Sequence, residues 1–263
     1  MSGALSQQAI VIAESERFSE AAADLATGLG LEVMLDPESE AASCCMFRIE
    51  VGHEIAVLSG FGKNKRRVLV DFSLASLRQR VQSGGKDLLI RACGLHKAKH
   101  PIRKVIDATA GFGGDAWVLA AQGVDVLAIE QDPLVAALLQ NALQRALVQG
   151  LHGAQNLTFM GGNSMLLKAQ SRVDIVYIDP MFSAGRRSAA SSKSMSFLQD
   201  WLASRYSEER QIALFDWALS LASYRVVVKR ALKAEWLSSH APTFQIKGKT
   251  HRFDVYQVGG GPL

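Results

Sequence analysis

Apolar residues are spaced in two different ways along this chain. In the first third, short apolar runs stand between polar breaks, as in small strands joined by turns. Gln8 to Ile12 reads as a buried strand, Phe18 to Leu29 as a helix stopped near Gly28 or Gly30, and Leu31 to Leu35 as a strand closed by Asp36-Pro37. Met46 to Val51 and Glu54 to Leu58 flank Gly52-His53 as a hairpin, and Val68 to Phe72 forms one more strand. A basic stretch from Leu77 to Lys86 carries paired glycines, and Asp87 to Cys93 has a helical pattern. From Val105 onward strands and helices alternate, which argues for a mostly parallel sheet covered on both faces. Strands are expected from Val105 to Asp107, Val124 to Ile129, Leu157 to Met160, Val173 to Ile178 and Arg225 to Lys229. Between them, Pro133 opens a helix in which Leu134, Leu138, Ala142 and Ala146 recur every fourth residue. A long helical region covers Ser207 to Leu221, a further helix is expected around Trp236, and Thr243 to Lys247 with Phe253 to Val258 reads as a closing antiparallel hairpin. The expectation is an α/β protein with about seven strands over residues 86–263, preceded by a small α+β lobe over residues 1–85.

Charge sharpens that division. The net charge of +4 conceals a balance of −8 over residues 1–60 and +10 over residues 61–104. So basic a block suits a polyanion or a solvated face that offsets the acidic segment. No apolar run reaches membrane-spanning length and the first residues lack a signal-peptide layout, so neither membrane nor leader is expected. Three cysteines (Cys44, Cys45 and Cys93) without ligand spacing fit reduced thiols in a cytoplasm. The six histidines show no metal-binding spacing, so no metal is expected.

The candidate chemistry gathers where the later strands end. After the strand that closes in Asp107 comes Ala108-Thr109-Ala110-Gly111-Phe112-Gly113-Gly114-Asp115, a glycine-rich turn into a helix. Gly111 and Gly113 allow positive φ and bring a ligand against bare backbone; a turn of no special use has the same composition. Carboxylates on both sides of the glycines favour a ligand with a cationic part over a pyrophosphate. Glu130 ends the next strand, 23 residues after Asp107, where an acid holds ribose hydroxyls in nucleoside-binding sheets. Asn163-Ser164 follows the third strand, and Asp179-Pro180-Met181-Phe182 the fourth. Ligands of open parallel sheets bind beyond such carboxyl ends. An acid, a proline that fixes the backbone and an aromatic ring suit an exocyclic amine on a base: the carboxylate and a neighbouring carbonyl accept from its N–H groups while the ring stacks on the base.

Asp-Pro-Met-Phe at a strand end resembles the catalytic tetrapeptide of amino-methyltransferases, and the second lobe resembles a class I (Rossmann-like) S-adenosylmethionine-dependent methyltransferase. More narrowly, residues 68–256 resemble the bacterial 16S rRNA guanine-N2 methyltransferases designated J, through Asp107–Asp115, Asp132–Leu139, Val176–Phe182, Val226–Arg230 and Lys247–Tyr256. That resemblance implies S-adenosylmethionine contacts at Gly114-Asp115, Glu130-Gln131, Asn163-Ser164 and Asp179. It also implies catalysis at Asp179, Pro180 and Phe182 and, as substrate, a guanine near the 3′ end of 16S rRNA, naked or in the 30S subunit. In place of the family's lysine-rich loop stands Ser183-Ala184-Gly185-Arg186-Arg187. RNA contacts are expected at Arg78, Arg80, Arg186, Arg187, Lys193, Lys229, Arg230, His251 and Arg252, with Lys63, Lys65, Arg66 and Arg67 extending the basic surface. An NAD-dependent oxidoreductase would share the sheet and leave Asp-Pro-Met-Phe unused. A non-catalytic RNA-binding module would leave the strand-end acids unused, and a DNA amino-methyltransferase differs in its nucleic acid.

Overall fold

The structure is a computed structural model that describes residues 9–34, 45–59, 66–96, 102–167, 172–180, 201 and 208–259. The chain forms two sheets. The first comprises β1 (Ala9–Ala13), β2 (Val33–Met34), β3 (Phe47–Val51), β4 (Ile55–Ser59) and β5 (Arg66–Leu69), in the order β2-β1-β3-β4-β5. Helix α1 (Ser19–Leu29) joins its first two strands and stops at Gly30, whose φ of 66° lets the chain turn away. The hairpin about Gly52-His53 is present, with β3 and β4 antiparallel. Strict alternation along β3 buries Phe47, Ile49 and Val51. The strand expected over Val68–Phe72 instead runs Arg66–Leu69 and leaves the sheet. Asp71 then accepts from the Ser73 N–H, and Phe72 stacks on Trp117 with ring centroids 4.5 Å apart.

Next come α2 (Ala75–Ser83) and α3 (Leu88–Cys93), the latter capped by Asp87, which accepts from the Leu89 N–H. The second sheet follows: β6 (Lys104–Asp107), β7 (Asp125–Glu130), β8 (Leu157–Gly161), β9 (Val173–Ile178), β10 (Ala222–Ala231), β11 (Phe244–Lys247) and β12 (His251–Gln257). Their order is β11-β12-β10-β9-β6-β7-β8, with β12 inserted antiparallel between β10 and β11 and the other six strands sharing one direction. This is the seven-stranded, mostly parallel sheet expected. Its helices are α4 (Gly114–Ala120), α5 (Pro133–Val148) and α6 (Glu208–Leu221). Asp132 caps α5 by accepting from the Leu134 and Val135 N–H groups, and Pro133 sits where no donor is needed.

One apolar core runs from the small sheet through α3, α4 and α5 to one face of the large sheet. A second core, with Val176, Phe215 and Val228, fills the opposite face beneath α6. Complete burial of residues such as Leu134, Leu138 and Leu139 contributes about 1.5–3 kcal/mol each. Polar contacts add to the apolar packing where α5 meets the small sheet: Asn141 of α5 accepts from the Ile55 N–H and donates to the His53 carbonyl, both at 3.1 Å. Arg145 donates to the Val70 carbonyl.

Around Trp236 the expected helix is absent and the chain makes turns. The carbonyls of Ala231, Leu232 and Glu235, which a helix would need, accept instead from the guanidinium groups of Arg252 and Arg230. Among the described residues no helix is long and apolar enough to cross a membrane, and no group of three or more His, Cys, Asp or Glu residues is placed to hold a metal ion. Cys93 is a buried free thiol and Cys45 is half-buried; Cys44 lies outside the described residues.

Candidate functional site

A cavity of about 300 Å³ opens at the carboxyl ends of β6, β7, β8 and β9. The crossover order of a parallel sheet brings these ends together although they are distant in sequence. Asp107, Gly111, Gly114 and Asp115 line it from the first strand and turn, Glu130 and Gln131 from the second, Asn163 and Ser164 from the third, and Asp179 and Pro180 from the fourth. Gly113, expected beside them, does not line the cavity. Both glycines are left-handed, with φ of 54° at Gly111 and 74° at Gly113, but their surroundings differ. A Cβ on Gly111 would meet nothing within 4 Å, whereas one on Gly113 would lie 2.5 Å from Leu139 and 3.2 Å from Phe72. Gly111 therefore leaves the space for a ligand, and Gly113 lets the turn pack on the core.

Glu130 is fixed by backbone donors. Its carboxylate accepts from the Gly111 N–H at 2.9 Å and the Asp132 N–H at 2.8 Å. Burial raises its pKa, and these two bonds oppose the rise. Asp107 is buried and accepts from the Thr109 N–H at 3.2 Å. Burial, followed by the charge of Asp115, raises its pKa well above the carboxylate range. Asn163 caps a short turn by accepting from the Met165 N–H, and the Ser164 hydroxyl donates to the Ala108 carbonyl, so both are anchored as they face the cavity.

The strongest electrostatic feature is a chain of alternating charges. Arg80 of α2 donates to Asp115 at 2.7 Å and to Asp87 at 3.0 Å. Lys229 of β10 donates to Asp115 at 2.9 Å and to Asp179 at 2.8 Å, and the Tyr177 hydroxyl donates to Asp115 at 2.7 Å. Burial works against the charge on Asp115, but Lys229 and Arg80 prevail and hold its pKa far below the usual range. At Asp179 enclosure has the upper hand and raises the pKa against the pull of Lys229. The Asp179 N–H donates to Thr109 Oγ1 at 2.7 Å, tying the end of β9 to the glycine turn. Lys229 stays protonated: burial lowers its pKa, and the two carboxylates more than restore it.

The basic residues expected on an RNA surface separate into distinct environments. Arg80 and Lys229 line the cavity. Arg78 is exposed on α2, and Arg67 pairs with Glu54 at 3.3 Å. Arg230 and Arg252 are buried rather than presented to solvent, because strand alternation turns Arg230 to the face opposite Lys229 and Arg252 sits directly across from it. Half-buried His251 pairs with Ala231 on the Lys229 side. Phe182, Arg186, Arg187, Lys193, Lys63 and Lys65 lie outside the described residues, as does the Arg66 side chain.

The sequence reading did not single out Tyr177, or Arg210, Gln211 and Leu214 of α6, which close one wall of the cavity. Arg210 donates to Gln131 at 2.6 Å. Tyr177 stood inside the β9 motif, and a hydroxyl among the aliphatic residues of its buried end was its signal; the α6 residues carry none.

Known proteins share this architecture. Residues 35–258 match a family model described as a putative SAM-dependent methyltransferase. A protein from Neisseria gonorrhoeae named ribosomal RNA small subunit methyltransferase J is 40% identical over 201 residues, which cover 73% of this chain and 77% of the relative. A protein of that name from Pseudoalteromonas translucida is 43% identical over 196 residues, covering 72% and 76%. The crystal structure of a SAM-dependent methyltransferase from Neisseria gonorrhoeae superposes with a TM-score of 0.69 at 29% identity, over 97% of this chain and 98% of that one.

Proposed function

The chain belongs to the SAM-dependent methyltransferase family that includes the relatives named ribosomal RNA small subunit methyltransferase J, and on that footing we propose that it methylates the exocyclic N2 amine of a guanine in 16S rRNA of the small ribosomal subunit, in the cytoplasm. The observation that carries this reading is the meeting of Asp107, Asp115, Glu130 and Asp179 in one cavity.

The cavity suits S-adenosylmethionine. Its volume falls at the lower end of the range for small-ligand sites, and the acids Asp107, Asp115, Glu130 and Asp179 line it together with three cations, Arg80 of α2, Arg210 of α6 and Lys229 of β10. Strand-end acids offer acceptors to a sulfonium and an ammonium group, and the open side of Gly111 admits a flat base against the backbone. Gly114 and Asp115, Glu130 and Gln131, and Asn163 and Ser164 would hold the cofactor, with Glu130 on the ribose hydroxyls. When bound, it supplies a methyl group already activated by a positively charged sulfur.

The chain then has to align the acceptor and receive its proton. Asp179 accepts an N–H of the guanine amine and draws the nitrogen toward a pyramidal, nucleophilic form; the Pro180 carbonyl takes the second N–H. Lys229 holds one oxygen of Asp179, which fixes the carboxylate and leaves its other oxygen to face the amine. With its pKa raised by enclosure, Asp179 is a better base than a solvated aspartate for the proton that the methylated amine sheds. A stacked guanine must first be splayed out, at a cost of a few kcal/mol; Phe182 would stack on it.

Labelled S-adenosylmethionine incubated with 30S subunits from cells lacking the enzyme, naked 16S rRNA and duplex DNA tests the proposal. Label in either ribosomal substrate is the expected result. Label in DNA alone, or none together with binding of NADH, would contradict it.

A further inference from the structure

Arg230 and Arg252, displaced from the expected RNA surface, hold a surface segment in place. Arg252 makes a two-pronged pair with fully buried Asp254, at 2.8 and 3.0 Å, and donates from its remaining nitrogen to the carbonyls of Ala231 and Leu232 at 2.9 and 2.7 Å. Arg230 donates twice to the Glu235 carbonyl, at 3.0 and 2.9 Å. Buried guanidinium groups are costly unless fully bonded, and here much of their bonding goes to the backbone of residues 231–235. Leu237, 5% exposed, anchors the far end of the segment in the core under α6.

Held from below, the segment presents large side chains outward. Leu232 is 37% exposed and Trp236 47%, with exposed Lys233 between them. The β11–β12 turn lies alongside, since Ala231 pairs with His251 and Lys247 with Arg252. That turn is tight: the Gly248 N–H donates to the His251 carbonyl at 2.9 Å, and a Cβ on Gly248 would lie 2.7 Å from Leu88. It carries Lys247 and Lys249 into solvent. Residues 231–251 hold three lysines and one carboxylate, Glu235. Lys229, two residues before Ala231 on the same face of β10, lines the cavity, so the rim adjoins the site. Burial and the nearby charge of Lys229 lower the His251 pKa, which leaves a neutral ring at this junction.

We propose that the 231–237 segment and the Gly248 turn form a preorganised docking rim for an unpaired RNA strand flanking the target base. Trp236 supplies the stacking platform, and Lys233, Lys247 and Lys249 track the phosphates. The inference rests on the RNA-methylation reading above and adds where the RNA lies. Aromatic surface interleaved with lysines fits single-stranded nucleic acid, whose bases offer a π-face whatever their sequence. Rigidity suits this role, because a rim already ordered loses little freedom on binding.

The test uses the full-length protein and a fluorescein-labelled single-stranded RNA dodecamer, read by anisotropy across a salt series, with calorimetric S-adenosylmethionine binding as a check on folding. Trp236→Ala is expected to weaken RNA binding about tenfold with an unchanged salt slope. The triple variant of Lys233, Lys247 and Lys249 to alanine is expected to flatten the slope of log affinity against log salt by about 0.7 per lysine. Both should bind the cofactor as the wild type does and show a raised KM for 30S subunits. Wild-type RNA affinity, salt slope and KM in both variants would overturn the inference, as would binding to anionic lipid vesicles in preference to RNA. If the wild type binds RNA through the rim yet transfers no methyl, the function fails and the docking site stands. If it methylates subunits and neither variant alters KM, the docking site fails and the function stands.

Discussion

The two sheets obey the same alternation and treat charge in opposite ways. In the five-stranded sheet the fully buried positions are apolar, as in Phe47, Ile49 and Val51 along β3, with Arg48 and Glu50 turned to the half-open face. Among the described residues the buried charges, Asp107, Glu130, Asp132, Arg225, Arg230, Arg252 and Asp254, all belong to the seven-stranded sheet and its connections. Burying charge lowers stability unless every partner is in place, so its concentration in one sheet separates a scaffold from a working surface. Within the working sheet there is a second division: acids at the strand ends face the cavity, and the Arg252–Asp254 pair braces a loop.

Substitutions in the two sheets should therefore fail in different ways. The largest effect is expected from Asp179→Ala, which should cost at least about a thousandfold in methyl transfer. Lys229 keeps its bond to Asp115 in that variant, so thermal unfolding should match the wild type; near-normal turnover would break the assignment. Ile49→Ala in the small sheet should do the reverse. It should lose about 3 kcal/mol in denaturant titrations with unchanged kcat per folded molecule.

Lys229→Met sharpens the contrast at intermediate size, with an expected loss of about thirtyfold in kcat. Asp115 retains Arg80 and Tyr177, so the fold should persist. Enclosure already raises the Asp179 pKa and Lys229 opposes the rise, so loss of the cation raises it further. Asp179 must be ionised to accept from the amine. Transfer therefore declines as pH falls through a limb above the ordinary carboxylate range in the wild type, and that limb moves to higher pH in the variant. A pH–rate profile reads it directly, and Lys229→Arg should restore most of the wild-type position. The smallest effect is expected where α5 meets the small sheet. Asn141→Ala removes the bonds to Ile55 and His53 and should cost about 1 kcal/mol of stability, with kcat unchanged.

Most of the fold was legible because strands and helices here have clean periods and clear stops, such as Gly30 after α1 and Asp132-Pro133 before α5. The cavity was legible for a related reason: parallel strands share an edge, so polar residues at successive strand ends must converge. What escaped depends on facing and on distant partners. Lys229 and Arg230 are neighbours in sequence, and only the register of β10 against β12 decides that one enters the cavity and the other braces a loop. Gly113 has the composition of a ligand-facing glycine, but Leu139 and Phe72 occupy its open side. The helix expected around Trp236 was overridden by arginines from two strands, which no local pattern encodes.

The most direct test of the central claim is nucleoside mass mapping of 16S rRNA after transfer of labelled methyl to 30S subunits from cells lacking the enzyme. The account predicts a single N2-methylguanosine near the 3′ end, absent when Asp179 is replaced by alanine. Label on a ring nitrogen, on a ribose or on another base would contradict it.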